Sequence, residues 1–401
     1  MRKIFLLVLA VILTLTACSA LPANESSVGA DEPQKETASV TPPKKAPSSA
    51  APNSESESEA TQTLASDFKV DVFWYTFADN YLSRVRDSME QQLGEYTNII
   101  ATQYDCQEDQ GKQTEMITSA IAQGSDLLVV NIVTTASEEA AKNVVNLARN
   151  ADIPIIFFNR EVSDYVVNSY DKCVFVGTDA DEAGYMQGQA IAEFLLSGDN
   201  LRNYDIDGDG EIKYIRFRGE HSSAEAFERT KFSVQEANKL LGDTAKLAPS
   251  SANETSNQYE DDGISNYFLY GNWSAASAAD LMRTALTAYS LTNGDIELII
   301  ANNDDQALGA IEAMDEIGFN TGVYGSGYIP VFGIDATAQA REAIAAGKMT
   351  ATVMQDAAGM AECIVELINN VADGRDIKDT LGSYNVDSGV AKIRVPYTIV
   401  R

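Results

Sequence analysis

The sequence contains very little histidine, cysteine and tryptophan: one His, four Cys and two Trp in 401 residues. A hydrolase needs a nucleophile paired with a base, and the single His221, without a Gly-x-Ser-x-Gly turn, gives that class little support. Cys106, Cys173 and Cys363 remain beyond Cys18, and an odd, widely spaced trio supplies neither a disulfide framework nor zinc-ligand spacing. We expect mostly buried thiols, with one disulfide pair left open as an alternative.

Basic residues are also scarce. Lys and Arg number 29 against 59 Asp and Glu, which gives a net charge of −30. A phosphate-binding surface needs clustered Lys and Arg, so we expect no nucleic-acid partner. No basic helix-turn-helix segment indicates a DNA-binding repressor either.

The first apolar run is short. Arg2 and Lys3 precede apolar residues 4–15, a stretch too short for an ordinary membrane span and typical of an export signal. It ends in Leu-Thr-Ala-Cys, which resembles a bacterial lipobox and implies cleavage before Cys18 and a lipid on its sulfur. We expect residues 1–17 to be a lipoprotein signal peptide and residues 18–66, rich in Ser, Ala, Pro and Glu, to be a tether. The expected location is therefore the outer face of the bacterial cell membrane.

The remaining sequence alternates between strand and helix patterns. Predicted strands are 69–76, 99–104, 126–131, 154–158, 173–176, 211–218, 296–301, 331–334, 350–354 and 393–399. Predicted helices are 80–94, 110–122, 137–150, 181–196, 224–241, 275–289, 306–317, 338–346 and 357–372. Such alternation predicts parallel sheets with right-handed crossovers, and this many units favours an α/β protein of two doubly wound lobes.

Polar residues follow the predicted strands where a ligand would bind in an open α/β sheet. They are Asp79-Asn80-Tyr81, Asn131, Asn159-Arg160-Glu161, Asn302-Asn303-Asp304, Asp335 and Gln355-Asp356. Amides and carboxylates with almost no basic groups suit a neutral polyhydroxylated ligand better than a phosphate. The alternative is that individual members are helix N-caps, which Asn and Asp also favour.

Residues 205–213, DIDGDGEIK, place oxygen side chains at alternate positions around a glycine. Asp205, Asp207 and Asp209 thus form the first half of a calcium-binding loop. A complete EF-hand would supply a bidentate Glu at position twelve, where this chain has Arg216 within a predicted strand. The loop therefore needs a distant carboxylate, and a solvated acidic turn without metal is the alternative.

The folded part resembles the type I periplasmic sugar-binding proteins, most closely those that bind galactose and glucose. The resemblance runs from about Val70 to Arg401 and is firmest in YTFADNYLSRVRDSMEQ, FVGTDADEAGYMQG, DIDGDGEI, IIANNDDQALGAIEAM and PVFGIDA. It implies two lobes joined by three crossings near Asn159, Gln355 and Lys392. Residues 67–160 with 356–391 would form the first lobe, and residues 161–355 with 392–401 the second, which would carry the calcium loop.

The resemblance also implies a set of sugar-binding residues. They are Asp79, Tyr81, Asn131, Ser223, Glu225, Arg229, Trp273, Asn303, Asp335 and Gln355. A sugar's adjacent hydroxyls suit carboxylates and the planar fork of arginine, while its C–H faces suit flat rings such as Tyr81 and Trp273. Ser223, Glu225 and Gln355 depart from the family pattern of His, Asp and Asn, which leaves the identity of the sugar open.

For the loop, the resemblance implies structural calcium held by Asp205, Asp207, Asp209, the carbonyl of Glu211 and the distant carboxylate of Glu297. Lys213 departs from the family, which has an amide oxygen donor at this position, because an ammonium has no lone pair to give. A polar insertion at residues 242–272 leads into Trp273 and either alters the cleft rim or forms a solvated surface loop.

These features predict a monomeric, lipid-anchored binding protein, not an enzyme, that delivers a monosaccharide to the membrane permease of an ABC importer. A receptor that signals sugar occupancy to a membrane chemoreceptor or kinase would have the same fold, and the sequence does not separate the two. An exported glycoside-processing enzyme is a weaker alternative, since cleft carboxylates could mimic a glycosidase pair.

Overall fold

The computed structural model describes residues 67–135, 137–256, 265–323 and 325–401. The predicted signal peptide, the tether and the lipidation site at Cys18 lie outside the described residues. Within the described part, no helix has the length and apolar character needed to cross a membrane.

Six parallel strands form the first sheet, in the order β13-β5-β4-β3-β1-β2. They are β1 (Phe68–Trp74), β2 (Ile99–Asp105), β3 (Leu127–Val130), β4 (Ile155–Phe158), β5 (Cys173–Gly177) and β13 (Lys392–Arg394). Every residue of β3, β4 and β5 is buried, as expected for parallel strands that are covered on both faces.

The helices of this first lobe are α1 (Asn80–Leu93), α2 (Gln110–Ala122), α3 (Glu138–Asn150), α4 (Asp164–Asn168) and α11 (Ala357–Ala372). Helix α11 packs against α1 although it follows most of the second lobe in sequence. The first lobe is therefore assembled from separate stretches of the chain.

The second sheet has the order β14-β12-β11-β10-β6-β9-β8, with β7 also paired to β6. Its strands are β6 (Glu211–Arg218), β7 (Lys246–Pro249), β8 (Glu254–Thr255), β9 (Tyr267–Tyr270), β10 (Leu298–Ala301), β11 (Val331–Ile334), β12 (Ala351–Gln355) and β14 (Tyr397–Val400). Its helices are α5 (Ala180–Leu196), α6 (Asn200–Tyr204), α7 (Ala224–Leu241), α8 (Ala275–Leu286), α9 (Asp304–Asp315) and α10 (Ala338–Ala345), and a short 3-10 turn, Leu381–Ser383, lies elsewhere in the chain. The prediction of two α/β lobes with mainly parallel sheets is confirmed.

The first crossing between the lobes differs from the expected one near Asn159. Strand β5 pairs with β4 in the first sheet, and Val162, Val166 and Val167 pack in the first lobe's core. The chain does not leave the first lobe until the segment between β5 and α5, so the predicted boundary at Arg160 was wrong. The second crossing lies between β12 and α11, as predicted near Gln355.

The third crossing divides what the sequence analysis predicted as one strand at residues 393–399. Strand β13 pairs in parallel with β5 in the first sheet, whereas β14 pairs antiparallel with β12 in the second. Pro396 lies between them, and a proline cannot donate a ladder hydrogen bond. Residues 392–394 therefore belong to the first lobe, which corrects their predicted place in the second.

The insertion at residues 242–272 is not simply a solvated loop in its described part. Strand β7 pairs with the first half of β6, and β9 pairs with the second half. Leu247, Phe268 and Leu269 are buried. The insertion therefore adds strands to the second sheet, and β9 leads directly to Trp273.

Cys106, Cys173 and Cys363 are buried free thiols. Within the described residues, the disulfide alternative is therefore not supported, and the prediction of buried thiols is confirmed. Burial raises the pKa of Cys106 to about 11, which keeps this thiol protonated at neutral pH.

Candidate functional site

A cavity lies between the lobes at the carboxyl ends of strands from both sheets. The first lobe contributes Tyr75, Asp79, Tyr81, Asn159 and Arg160, and the second contributes Ser223, Glu225, Arg229, Trp273, Asn303, Asp335 and Gln355. All the predicted sugar-binding residues except Asn131 therefore line one cavity. Their role in binding a sugar stays a prediction.

On the first lobe, Asp79 is held by the start of α1. Its Oδ1 accepts a hydrogen bond from Leu82 N at 2.8 Å, and its Oδ2 accepts one from the Tyr75 hydroxyl at 3.1 Å. The N-cap alternative is thus true of Asp79, but the same carboxylate also lines the cavity. Burial, and then the Asp79 charge, raise the pKa of Tyr75 well above its usual value, so the phenol remains a hydrogen-bond donor.

Asn131 lies behind the cavity wall. It is completely buried, its Oδ1 accepts from Tyr75 N at 3.3 Å, and its Nδ2 donates to Phe158 O at 3.0 Å and to Asn159 Oδ1 at 3.3 Å. The structure therefore places Asn131 as a residue that positions Tyr75 and Asn159, and does not bring it to the cavity.

On the second lobe, Arg229 and Asp335 are both buried at the centre of the site. The guanidinium donates from Nη1 to Asn302 O at 2.9 Å and from Nη2 to Gln355 Oε1 at 3.2 Å and to the Tyr397 hydroxyl at 3.1 Å. These contacts fix its plane against the cavity.

Within the described residues, the ion-pair contact of the Asp335 carboxylate is a long one, 3.8 Å to Arg229 Nη1. Burial raises the pKa of Asp335 well above its usual value, although the charge of Arg229 opposes this. A carboxylate in this position gains from a ligand that donates hydrogen bonds, such as a hydroxyl.

Three lining residues have a left-handed backbone: Asn159 (φ 61°), Trp273 (φ 64°) and Asp335 (φ 119°). Residues other than glycine seldom adopt this backbone conformation, and such strained residues are concentrated at functional sites. Because each of these residues lies just beyond a strand, the local turn sets the direction in which its side chain projects.

The Trp273 ring packs against a glycine. A Cβ atom built on Gly219 would lie 2.4 Å from the ring's Cε2 and Cζ2 atoms, so no other residue fits there without moving the ring. Asn303 Nδ2 donates to Trp273 O at 3.1 Å while Asn303 Oδ1 caps α9. Trp273 is therefore fixed at both its backbone and its ring.

Ser223 and Glu225 form a hydrogen-bonded pair at the start of α7. Ser223 Oγ caps the helix and donates to Glu225 Oε2 at 2.7 Å. Glu225 Oε1 accepts from Glu161 N, on the first lobe, at 3.1 Å. These departures from the family pattern thus also form part of the contact between the lobes.

Further contacts join the lobes around the cavity. Arg160 forms an ion pair with Glu220, Asn80 Nδ2 donates to both carboxylate oxygens of Asp305, and Thr135 Oγ1 donates to Ser222 O. The two lobes are therefore in direct contact around the cavity.

The predicted calcium loop forms a separate cluster on the second lobe. Asp205, Asp207 and Asp209 bring carboxylate oxygens within 4.8 Å of one another, and Glu297 is completely buried. However, Lys213 Nζ lies 2.8 Å from Asp207 Oδ2 and 2.6 Å from Asp209 Oδ2. Calcium does not fit together with an ammonium bonded to the same oxygens, because the two cations would repel each other. Calcium binding stays a prediction, and the position of Lys213 argues against it.

A family model for the periplasmic binding protein domain matches residues 70–376. The chain belongs to this family. The D-galactose/methyl-galactoside binding periplasmic protein of Haemophilus influenzae is 29% identical over 338 residues, which span 84% of this chain and 91% of the relative. A putative rhizopine-binding protein of Rhizobium meliloti is 26% identical over 324 residues, spanning 81% and 87%.

Solved structures show the same fold. An ABC transporter solute binding protein from Bacillus halodurans, with bound myo-inositol, has a TM-score of 0.59 at 24% identity and covers 84% of this chain and 95% of its own. One from Clostridium phytofermentans, with bound β-D-glucose, has a TM-score of 0.61 at 19% identity and covers 82% and 93%.

Tyr75, Asn159 and Arg160 also line the cavity of this periplasmic binding protein, although they are not among the residues predicted to bind a sugar. Asn159 and Arg160 did appear as polar residues after a strand, and that was the available signal. Tyr75 follows β1 within an aromatic run, so nothing in the sequence separated it from the core residue Trp74, which is completely buried.

Proposed function

We propose that this periplasmic binding protein captures a monosaccharide, an aldohexose similar to galactose or glucose, between its two lobes and delivers it to the permease of an ABC importer. It acts by binding and not as an enzyme, in keeping with its family. The names of its relatives agree with a sugar ligand, since they include galactoside, xylose and ribose binding proteins.

The observation that carries the proposal is the arrangement of Asp335 and Arg229 with Tyr81 and Trp273 in one cavity between the lobes. A buried carboxylate can accept from sugar hydroxyls, and the guanidinium fork can donate to adjacent ones. Tyr81 and Trp273 come from different lobes, so a sugar ring between them would contact both lobes and favour closure.

The residue types at the remaining wall support an uncharged ligand. Asp79, Glu225, Asn303 and Gln355 add acceptors and amides, and Arg160 already has the Glu220 carboxylate as a partner. A phosphate or an acid would meet a surplus of carboxylates, and like charges disfavour binding. Ser223, Glu225 and Gln355 differ from the family pattern in the hydrogen bonds they can form, so we propose a class of sugar and not a single sugar.

For location, we propose that the protein is exported, cleaved before Cys18 and anchored by a lipid on that sulfur. The tether of residues 18–66 would then let a monomeric binding domain reach the permease. Mass spectrometry of the membrane-extracted protein tests this, because a diacylglyceryl adduct on Cys18 is expected and an unmodified amino terminus would contradict it.

The test of ligand class is calorimetric titration of the purified protein with galactose, glucose, xylose, ribose and myo-inositol. One hexose should bind with a dissociation constant near micromolar, about −8 kcal/mol. Tryptophan fluorescence should change on binding, and Trp273→Phe should remove that change, whereas Trp74→Phe in the core should keep it. Binding of none of these ligands would refute the aldohexose proposal.

A further inference from the structure

The loop at residues 205–211 is closed by a side chain of the chain itself. Lys213 is the third residue of β6, and its side chain returns to the loop, where Nζ contacts Asp207 Oδ2 at 2.8 Å and Asp209 Oδ2 at 2.6 Å. The Lys213 side chain is 23% exposed, so the contact is only partly open to solvent. An ammonium thus occupies the position between carboxylates where a metal ion would be expected.

The remaining carboxylate oxygens of the loop are nearly all occupied by backbone N–H groups. Glu297 Oε1 accepts from Ile206 N, Glu297 Oε2 from Lys213 N, Asp205 Oδ2 from Gly210 N, Asp207 Oδ1 from Asp209 N and Asp209 Oδ1 from Glu211 N. The two Glu297 bonds are 2.7 Å long. Within the described residues, only Asp205 Oδ1 is buried in this loop without a hydrogen-bond partner.

We propose that the Lys213 ammonium replaces the calcium ion in this loop, so that the protein is stable without calcium. An ammonium offers three donors and a positive charge, which suffices to hold Asp207 and Asp209 together. Calcium needs six to eight oxygen ligands at about 2.3–2.6 Å, so it would have to displace the ammonium from both carboxylates. The carboxylate of Glu297 keeps a structural role, because it ties Ile206 to the start of β6.

One residue, Lys213, decides whether an ammonium or a metal ion can lie between Asp207 and Asp209. If Lys213 is replaced by glutamine, the amide oxygen becomes a possible ligand and the ammonium is gone. Asp205 Oδ1, the oxygen without a partner, is then available together with Asp207 Oδ2 and Asp209 Oδ2, which the ammonium no longer holds. Lys213→Gln should therefore gain calcium binding that the natural chain lacks.

The experiment compares thermal unfolding of the full-length protein and its variants in EDTA and in millimolar calcium, with calorimetric titration of calcium alone. The natural protein should have the same melting temperature in both buffers and no calcium heat. Lys213→Gln should melt several degrees lower in EDTA, recover in calcium and bind one ion per chain. The matched control is Lys246→Gln, which removes an exposed lysine 3.9 Å from Glu211 Oε1 and should behave like the natural protein.

Two results would overturn the proposal. The first is saturable calcium binding by the natural protein with a rise in its melting temperature. The second is a Lys213→Gln variant that is destabilised equally in EDTA and in calcium. If the variant folds only in calcium, circular dichroism in the two buffers shows this directly and supports the proposal.

Discussion

Arg160 Nη2 lies 2.8 Å from Glu220 Oε2, and this ion pair joins the first lobe to the second at the edge of the ligand cavity. The same nitrogen donates to Val133 O at 2.9 Å, and the guanidinium lies 4.4 Å from the centre of the Tyr75 ring. Arg160 is thus fixed by contacts within its own lobe, and Glu220 is its partner from the second lobe. The pair therefore favours closure.

Glu220→Gln should weaken ligand binding by about tenfold, because loss of a charge-assisted hydrogen bond costs on the order of 1–3 kcal/mol. Small-angle scattering of the ligand-free protein should show a larger radius of gyration as the open state gains population. Asp152→Asn, which breaks an exposed ion pair with Lys172, is the control and should change neither quantity. Unchanged affinity and radius in Glu220→Gln would contradict the role of this pair.

Asp335→Asn should weaken sugar binding roughly ten- to hundredfold, since hydrogen bonds to charged groups contribute about 1.5–3 kcal/mol. The same change should raise the melting temperature of the ligand-free protein at neutral pH. The folded-state pKa of Asp335 is raised by burial, so its ionisation reduces stability as pH rises above the unfolded value of 3.8. At about pH 4 the melting temperatures of the Asp335→Asn variant and the natural protein should therefore become equal.

The control for Asp335 is Asp280→Asn, which removes an exposed carboxylate paired with Arg283 on α8. It should leave affinity unchanged. Equal affinity of Asp335→Asn and the natural protein for the bound sugar would mean that this carboxylate does not contact the ligand.

Gly219→Ala should lower the affinity for the sugar by at least about tenfold. The added Cβ would displace the Trp273 ring, which would then lose its expected contact with the ligand. The emission of Trp273 should also shift in the ligand-free state. Gly382→Ala, at a position where a Cβ meets open space, is the matched control. Full affinity with an unshifted spectrum would show that the ring tolerates the methyl group.

Glu228→Gln should flatten the pH dependence of stability. Burial, and then the charge of Asp181, raise the pKa of Glu228 to about 7. Because the raised pKa favours the protonated form in the folded state, the free energy of unfolding falls as pH rises from about 4.5 through about 7. Melting temperatures at about pH 5 and about pH 8 measure this, and Glu236→Gln on the same helix should keep the natural slope.

The order of strands and helices could be predicted because buried parallel strands form short apolar runs between amphipathic helices. Helices α2, α7 and α11 begin and end at the predicted residues. The first crossing could not be predicted in the same way. The polar residues after β4 look like a strand end facing a cleft, and only the pairing of β4 with β5 shows that the chain stays in the first sheet.

Most of the residues predicted to bind a sugar line one cavity, because polar residues at the carboxyl ends of strands are visible in the sequence and these ends meet at the same edge of a sheet. Asn131 shows the limit of that rule. It lies directly after β3, but the neighbouring backbone groups of Tyr75 and Phe158 take up its amide. Whether a side chain at a strand end faces the cavity depends on residues that are close in the fold but distant in the sequence.

The arrangement of β13 and β14 has a consequence for the course of folding. The first sheet receives β13 beside β5, and the second receives β14 beside β12, both from residues 392–400. Neither sheet can complete its pairing while a nascent chain still lacks those residues, and the pairing of β13 with β5 joins positions so distant in sequence that it forms slowly. We therefore expect that both lobes reach their native stability together, late in synthesis, and that ribosome-bound chains ending before residue 392 are sensitive to protease in both lobes.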